Sequence, residues 1–152
     1  MGDYQFTRQV DLGAYREIEN SAIRVLWSDE WYDGTLSGMA LVNGECLYYD
    51  FYHEDDNTDV RTFVLYRLTP EQVEYERSWR ALEEEAGGVM VFDDEGGFEF
   101  LPEREPGARE AFAERRRREH QRLDLRAAEV VGWFRDRGHP AFAGVQAHQG
   151  SD

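Results

Sequence analysis

The feature that most constrains this sequence is the Asn43-Gly44 pair, which separates two largely apolar runs, 36–42 and 45–53. An Asn-Gly pair in this setting predicts a two-residue hairpin turn of type I′, because that turn needs positive φ at both central residues. A two-residue turn also fixes the register of its strands. Val42 should therefore lie opposite Glu45, and Gly38 opposite Tyr49.

Both faces of the predicted hairpin are mainly apolar, since successive side chains of a strand point to opposite sides of the sheet. A hairpin of this kind is expected in the middle of a sheet that is covered on both sides. One face should carry Leu36, Ala40, Val42, Leu47, Tyr49 and Phe51, and the other Met39, Leu41, Cys46, Tyr48 and Tyr52.

Alternating apolar residues predict further strands over 22–32 and 60–68, which makes four successive strands of an antiparallel meander. The sequence Thr69-Pro70-Glu71-Gln72 is typical of a helix start, with Thr69 as N-cap, Pro70 in the first turn and Gln72 completing a capping box. A helix is predicted over 70–86 and a small hairpin over 89–92 and 98–101.

A long C-terminal helix is predicted over 108–137, because apolar residues recur there at helical spacing and Gly138 and Pro140 follow. The residues with this spacing are Leu123, Ala127, Val130, Val131 and Phe134. The predicted fold class is α+β: an antiparallel β-meander of about four to six strands, one crossing helix and a long C-terminal helix. We expect a single domain over 1–140 and a flexible tail over 141–152.

The composition excludes several functions. All 17 basic residues are arginine, so the chemistries that depend on lysine, such as a Walker A phosphate loop or a Schiff base, are ruled out. Residues 1–102 carry 23 acidic residues against 7 arginines, a net charge of −16, which should repel nucleic acid and anionic membranes. With no apolar run of transmembrane length, the expected location is the cytoplasm.

No catalytic, metal or cofactor motif is recognised. Asp55, Asn57 and Asp59 match the start of an EF-hand loop, but Val60 and Tyr66 stand where that loop needs glycine and a bidentate carboxylate. The four histidines show no metal-binding spacing. We therefore expect no cofactor, no metal and no catalytic residue, and a non-catalytic role is favoured over an enzyme.

The strongest functional signal is a set of acidic clusters. Three glutamates occupy the last turn of the predicted helix 70–86, where carboxylates meet the negative end of the helix dipole. If this set forms one exposed surface, it could bind a basic protein, for example as a nucleic-acid mimic that inhibits or blocks a nucleic-acid-binding protein. The predicted partner-binding residues are Glu83, Glu84, Glu85, Asp93, Asp94, Glu95, Glu54, Asp55, Asp56 and Asp59.

Two alternatives remain open. A homo-oligomer could form if Arg115, Arg116, Arg117 and Arg118 contact the acidic surface of a second copy, and the same arginines could instead pair with the chain's own acids. The second alternative is a small-molecule-binding or enzymatic domain that uses the aromatic face of the sheet. Its predicted pocket residues are Trp27, Trp31, Tyr32 and Asp50.

Overall fold

The computed structural model describes residues 9–31, 35–93 and 97–136. Within them the fold is α+β, with a five-stranded antiparallel sheet, a separate two-stranded sheet and two α-helices. The strands are β1 (Ile23–Trp31), β2 (Thr35–Val42), β3 (Glu45–Glu54), β4 (Arg61–Arg67), β5 (Val89–Phe92), β6 (Phe98–Leu101) and β7 (Glu129–Arg135), and the helices are α1 (Pro70–Ala86) and α2 (Ala108–Glu119). The order in the large sheet is β1-β2-β3-β4-β7.

The hairpin at the centre of this sheet confirms the predicted turn and register. Asn43 and Gly44 have φ of 51° and 84°, as a type I′ turn requires. Val42 pairs with Glu45 and Gly38 with Tyr49. The six residues predicted for one face all belong to one buried cluster, which also includes residues of β1, β4 and β7.

Helix α1 also confirms its prediction, with the bounds Pro70–Ala86 and a complete capping box. The hydroxyl of Thr69 accepts a hydrogen bond from the Gln72 amide, and the Gln72 side chain accepts one from the Thr69 amide. Gly87, with φ of 79°, follows the last turn.

The prediction of one long C-terminal helix over 108–137 is wrong. Helix α2 ends at Glu119, a segment without regular secondary structure follows, and Glu129–Arg135 forms strand β7 beside β4. Burial alternates along β7, with Val130, Gly132 and Phe134 buried and the residues between them partly exposed. The helical spacing was coincidental, because the β-branched and aromatic residues of this segment suit a strand better.

The segment before β1 lies beside β7, the strand at the other end of the sheet. The segment before β1 pairs with β7 through a parallel bridge between Glu17 and Trp133. Two backbone hydrogen bonds hold it, from Ile18 N to Trp133 O at 2.7 Å and from Trp133 N to Arg16 O at 3.2 Å. Gly132 permits this approach, since a Cβ there would lie 2.8 Å from Arg16 O.

Each face of the five-stranded sheet carries its own buried cluster. The first cluster contains Tyr49, Phe63 and Phe134, whose rings contact one another, and Phe92 of β5 packs against it. The second cluster is built around residues of the opposite face, with Val10, Leu68, Leu125 and the partly buried Val73 joining from outside the sheet. The prediction that both faces of the sheet are covered is confirmed.

Neither helix in the described part of the chain has the length and apolar character needed to cross a membrane. The predicted tail, 141–152, lies outside the described residues, as do Gly138 and Pro140.

Candidate functional site

The candidate site is a cleft bounded by β1, α1, α2 and the β5–β6 hairpin. It consists of two pockets, of about 460 Å³ and about 220 Å³, which we call the polar pocket and the apolar pocket. We call the two pockets together the charged cleft. Four residues line both pockets: Asp29, Glu30, Glu83 and Arg109.

A β-bulge places Asp29 in the charged cleft. Ser28 pairs with Gly38 and Glu30 with Ser37, so Asp29 is an extra residue in β1 that has no partner in β2. A bulge of this kind redirects a side chain, and bulges are common beside functional sites. Gly38 makes the local backbone approach possible, since a Cβ there would lie 2.0 Å from Trp27 O.

Asp29 lacks the partners that a buried carboxylate normally has. Its side chain is 8% exposed, and Oδ1 lies 3.8 Å from Nη1 of Arg116, beyond hydrogen-bond distance. Among the described residues no group hydrogen-bonds to Oδ2. Burial raises the pKa of Asp29 from 3.8 to about 7, although the charge of Arg116 acts in the opposite direction. Near neutral pH this carboxyl group can therefore bind or release a proton.

Helix α1 contributes charged residues to the same region. Glu76, Arg80 and Glu83 are all buried, which is unusual for three charged residues on one helix. Glu83, 3% exposed, accepts hydrogen bonds from Arg80 Nη1 at 2.9 Å and Arg109 Nη1 at 2.7 Å. Arg80 also bonds Glu84 at 2.8 Å, so both ions have partners. The buried face of α1 thus combines Trp79 with an ion-pair network.

His120 fixes the end of α2 against α1. Its Nε2 lies 2.9 Å from Oε2 of Glu76, its ring stacks on Tyr75 at 5.5 Å, and it meets the ring of Trp79 edge-on at 5.6 Å. The backbone of His120 is already extended, with φ −73° and ψ 126°. These contacts hold the chain where α2 stops and position the arginines of the preceding turn.

The arginine run of α2 lies along the polar pocket, and its members have different surroundings. Arg116 and Arg117 line the pocket. Arg115 lies over the Trp79 ring at 5.7 Å and bonds Glu119, whereas Arg118 lies 4.0 Å from Glu119. The contact between Arg116 and Asp29 links this run to an acid that was not among the predicted acidic clusters.

Several of the predicted partner-binding acids are paired with arginines of the same chain. Glu83 is buried, Glu84 bonds Arg80 at 2.8 Å, Glu85 bonds Arg104 at 2.9 Å, and Glu54 bonds Arg61 at 2.8 Å. The others described are exposed: Asp55, Asp56, Asp59 and Asp93. Asp94 and Glu95 lie outside the described residues. That this set binds a basic protein stays a prediction, as does the homo-oligomer.

The predicted aromatic pocket is only partly described. Trp27 is buried in the second core cluster, and Asp50 is buried on β3, paired with Ser37 and Val64 on its two sides. Tyr32 and the side chain of Trp31 lie outside the described part of the chain. The charged cleft begins two residues after Trp27 in β1.

The acidic loop 55–59 forms a turn. Asp55 Oδ1 accepts hydrogen bonds from the amides of Asn57 at 2.8 Å and Thr58 at 3.1 Å.

In the described part of the chain, no group of three or more His, Cys, Asp or Glu side chains is arranged to hold a metal ion.

Comparison with protein-family models, with curated proteins and with solved structures found no match to this chain.

Proposed function

We propose that this protein is a small-molecule-binding domain and that its ligand occupies the charged cleft. The observation that supports this most directly is Asp29, which lines both pockets and whose buried Oδ2 has no hydrogen bond among the described residues. Buried polar atoms in folded proteins nearly always have a partner, so a ligand group is a reasonable candidate for this one.

The energetics of the site favour the same function. Leaving a buried polar group unsatisfied costs about 1–3 kcal/mol, and folding alone does not require an acid at this position of β1. Such departures from a purely stabilising sequence concentrate at functional sites. Asp29 also combines burial, a specific charged neighbour and a cleft, which are the usual marks of a functional ionisable group.

The dimensions of the cleft suit a small ligand. The polar pocket, at about 460 Å³, falls within the range of roughly 300–1,000 Å³ that is typical of ligand sites. The apolar pocket adds the side chains of Val89, Met90, Phe92 and Phe100. Together they offer an apolar wall and a few charged groups, which is the usual composition of such sites.

A fragment screen with two matched variants tests this function. Ala113 and Ala111 both lie on α2, but only Ala113 lines the polar pocket and Ala111 is exposed. Ala113→Phe should fill the pocket, and Ala111→Phe should leave it open. We expect that some fragments raise the melting temperature of the wild type and of Ala111→Phe but have no effect on Ala113→Phe.

Ligand-observed NMR on the same three proteins gives a second readout, and circular dichroism verifies that each is folded. Fragments that bind all three proteins equally, or a complete absence of binding fragments, would contradict the proposal.

A further inference from the structure

We propose, on the basis of the function proposed above, that the ligand is a small carboxylic acid with an apolar tail. Its carboxylate binds Arg116 and Arg117 and accepts a hydrogen bond from the carboxyl group of Asp29, and its tail occupies the apolar pocket.

The pairing of charges in the cleft favours an anion. Glu83 is bonded to two arginines, and Glu76 to His120. In contrast, neither Arg116 nor Arg117 has a close ion pair within the described part of the chain, since the contact of Arg116 with Asp29 is 3.8 Å long. Glu76 and Glu83 are therefore better neutralised than Arg116 and Arg117. Guanidinium groups bind carboxylates well because two parallel N–H groups match the two oxygens.

Asp29 complements a carboxylate when it carries a proton. Its charged neighbours are Arg116 from α2 and Glu76, Arg80 and Glu83 from α1, and burial opposes its ionisation more than Arg116 favours it. A neutral carboxyl group has one O–H donor that a carboxylate ligand can accept. An ionised Asp29 would instead repel the ligand. Binding should therefore be accompanied by proton uptake at neutral pH.

A cationic ligand fits the cleft less well. An amine close enough to bond Asp29 would stand near Arg116, whose Nη1 is 3.8 Å from the same carboxyl group. Arg117 also lines the polar pocket and has no ion pair within the described part of the chain, so the amine would meet a further uncompensated positive charge. Like charges at such distances disfavour binding.

The tail is assigned from the apolar pocket. Val89, Met90, Phe92 and Phe100 of the β5–β6 hairpin line it, and Phe100 is 52% exposed. An exposed phenylalanine beside a cavity offers apolar area that a ligand can cover, at roughly 25 cal/mol per Å². The volume of about 220 Å³ limits this tail to a group about the size of a phenyl ring or a short branched chain.

Three probes of the same shape test the head group: 3-phenylpropionate, 3-phenylpropylamine and 3-phenylpropionamide. Titration calorimetry at pH 6 should give an affinity for the carboxylate at least tenfold higher than for the amine or the amide. Tighter binding of the amine or the amide would overturn the carboxylate assignment and leave the proposed ligand-binding function in place. Failure of all three probes to bind would also overturn it, and the fragment screen above would decide the function separately.

The pH dependence tests the role of Asp29. If only the protonated form binds 3-phenylpropionate, affinity should fall about tenfold between pH 6 and pH 8, because the pKa of Asp29 is about 7. Calorimetry in two buffers of different ionisation enthalpy should report proton uptake at pH 7. Asp29→Asn keeps an N–H donor and should bind with little dependence on pH over this range. An unchanged affinity of the wild type from pH 6 to pH 8 would overturn this role.

Two arginine variants complete the test. Arg116→Gln should weaken binding of 3-phenylpropionate at least tenfold, since it removes the charge nearest Asp29. Arg118→Gln is the matched control, because Arg118 is exposed and forms its ion pair with Glu119. Arg118→Gln should bind like the wild type. Equal affinities of the two variants would overturn the assignment of the carboxylate to Arg116.

Discussion

Nη1 of Arg116 lies 3.8 Å from Oδ1 of Asp29, close enough for attraction but too far for a hydrogen bond. Arg109 and Glu83, on the other side of the charged cleft, meet at 2.7 Å. The two ion pairs differ because the bulge in β1 holds Asp29 apart from its partner, whereas Arg109 reaches Glu83 from the N-terminal turn of α2. The gap beside Asp29 underlies both functional proposals.

The first prediction concerns stability and pH. The pKa of Asp29 is about 7 in the folded protein and near 3.8 when the group is free, so the folded state binds this proton more tightly. Its contribution to stability is therefore greatest at low pH and declines as pH rises from about 4 to about 7. At about 1.4 kcal/mol per pKa unit, we expect the wild type to lose about 2–3 kcal/mol relative to Asp29→Asn between pH 5 and pH 8.

Urea unfolding of both proteins at pH 5, 6.5 and 8 measures this difference. The two proteins share all other titrating groups, so the contributions of those groups to the pH dependence of stability cancel in the comparison. Parallel stability curves for wild type and Asp29→Asn would contradict the prediction.

The second prediction concerns Gly38. A Cβ at this position would lie 2.0 Å from Trp27 O and 2.7 Å from the Tyr49 hydroxyl oxygen. The first of these contacts is with backbone, which cannot move without disturbing β1, so Gly38→Ala should destabilise the protein by about 3 kcal/mol. Gly13→Ala is the control, since its nearest contact would be at 3.4 Å, and it should change stability by less than about 0.5 kcal/mol. Denaturant midpoints measure both, and similar values for the two variants would count against the prediction.

The third prediction compares a buried and an exposed ion pair. Arg80 is 5% exposed and bonds Glu83, Glu84 and the Met90 carbonyl, so Arg80→Met should cost about 3 kcal/mol. Arg104→Met breaks the exposed pair with Glu85 and should cost less than about 1 kcal/mol. Thermal and urea unfolding should separate the two variants clearly. Raising the salt concentration should reduce only the stability loss caused by Arg104→Met. Equal losses would show that the network around Arg80 contributes little.

The fourth prediction concerns the start of α1. Thr69→Ala removes the hydroxyl that accepts from the Gln72 amide and should cost about 1 kcal/mol. Ser78→Ala, an exposed position in the middle of the same helix, should leave stability unchanged or raise it slightly, because alanine is the better helix former. The expected outcome is a lower free energy of unfolding for Thr69→Ala and an equal or slightly higher one for Ser78→Ala. A loss at Ser78 as large as that at Thr69 would contradict it.

Local signals accounted for the central part of the fold. Asn43-Gly44 determined a turn and therefore a register, and Thr69-Pro70 with Gln72 determined where α1 begins. Each of these depends on residues within a few positions of one another. Such signals act before tertiary structure forms, and a single sequence is enough to recognise them.

The end of α2 and the burial of charged residues on α1 depended on contacts between distant segments. The end of α2 carries no glycine or proline, and His120 is held there by Glu76, which is 44 positions earlier in the chain. Likewise, Glu76 and Glu83 are buried with partners from the other end of the chain, His120 and Arg109, so one of the acids predicted to face a partner is internal.

Asp29 was missed because its strand pattern is ordinary. The one available signal was Gly38 in the facing strand, since glycine within a strand often marks a bulge.

The contact between the segment before β1 and strand β7 also bears on how the chain folds. Asn20 donates a hydrogen bond to the carbonyl of Arg135, 115 positions later, and Glu17 pairs with Trp133. During synthesis on the ribosome, strands β1 to β4 therefore emerge well before the segment that completes them. Contacts this distant in sequence slow folding, because a long loop must close before they form. The rate-limiting step of refolding should accordingly be the docking of β7, and a nascent chain that stops before residue 129 would leave the edge of β4 uncovered.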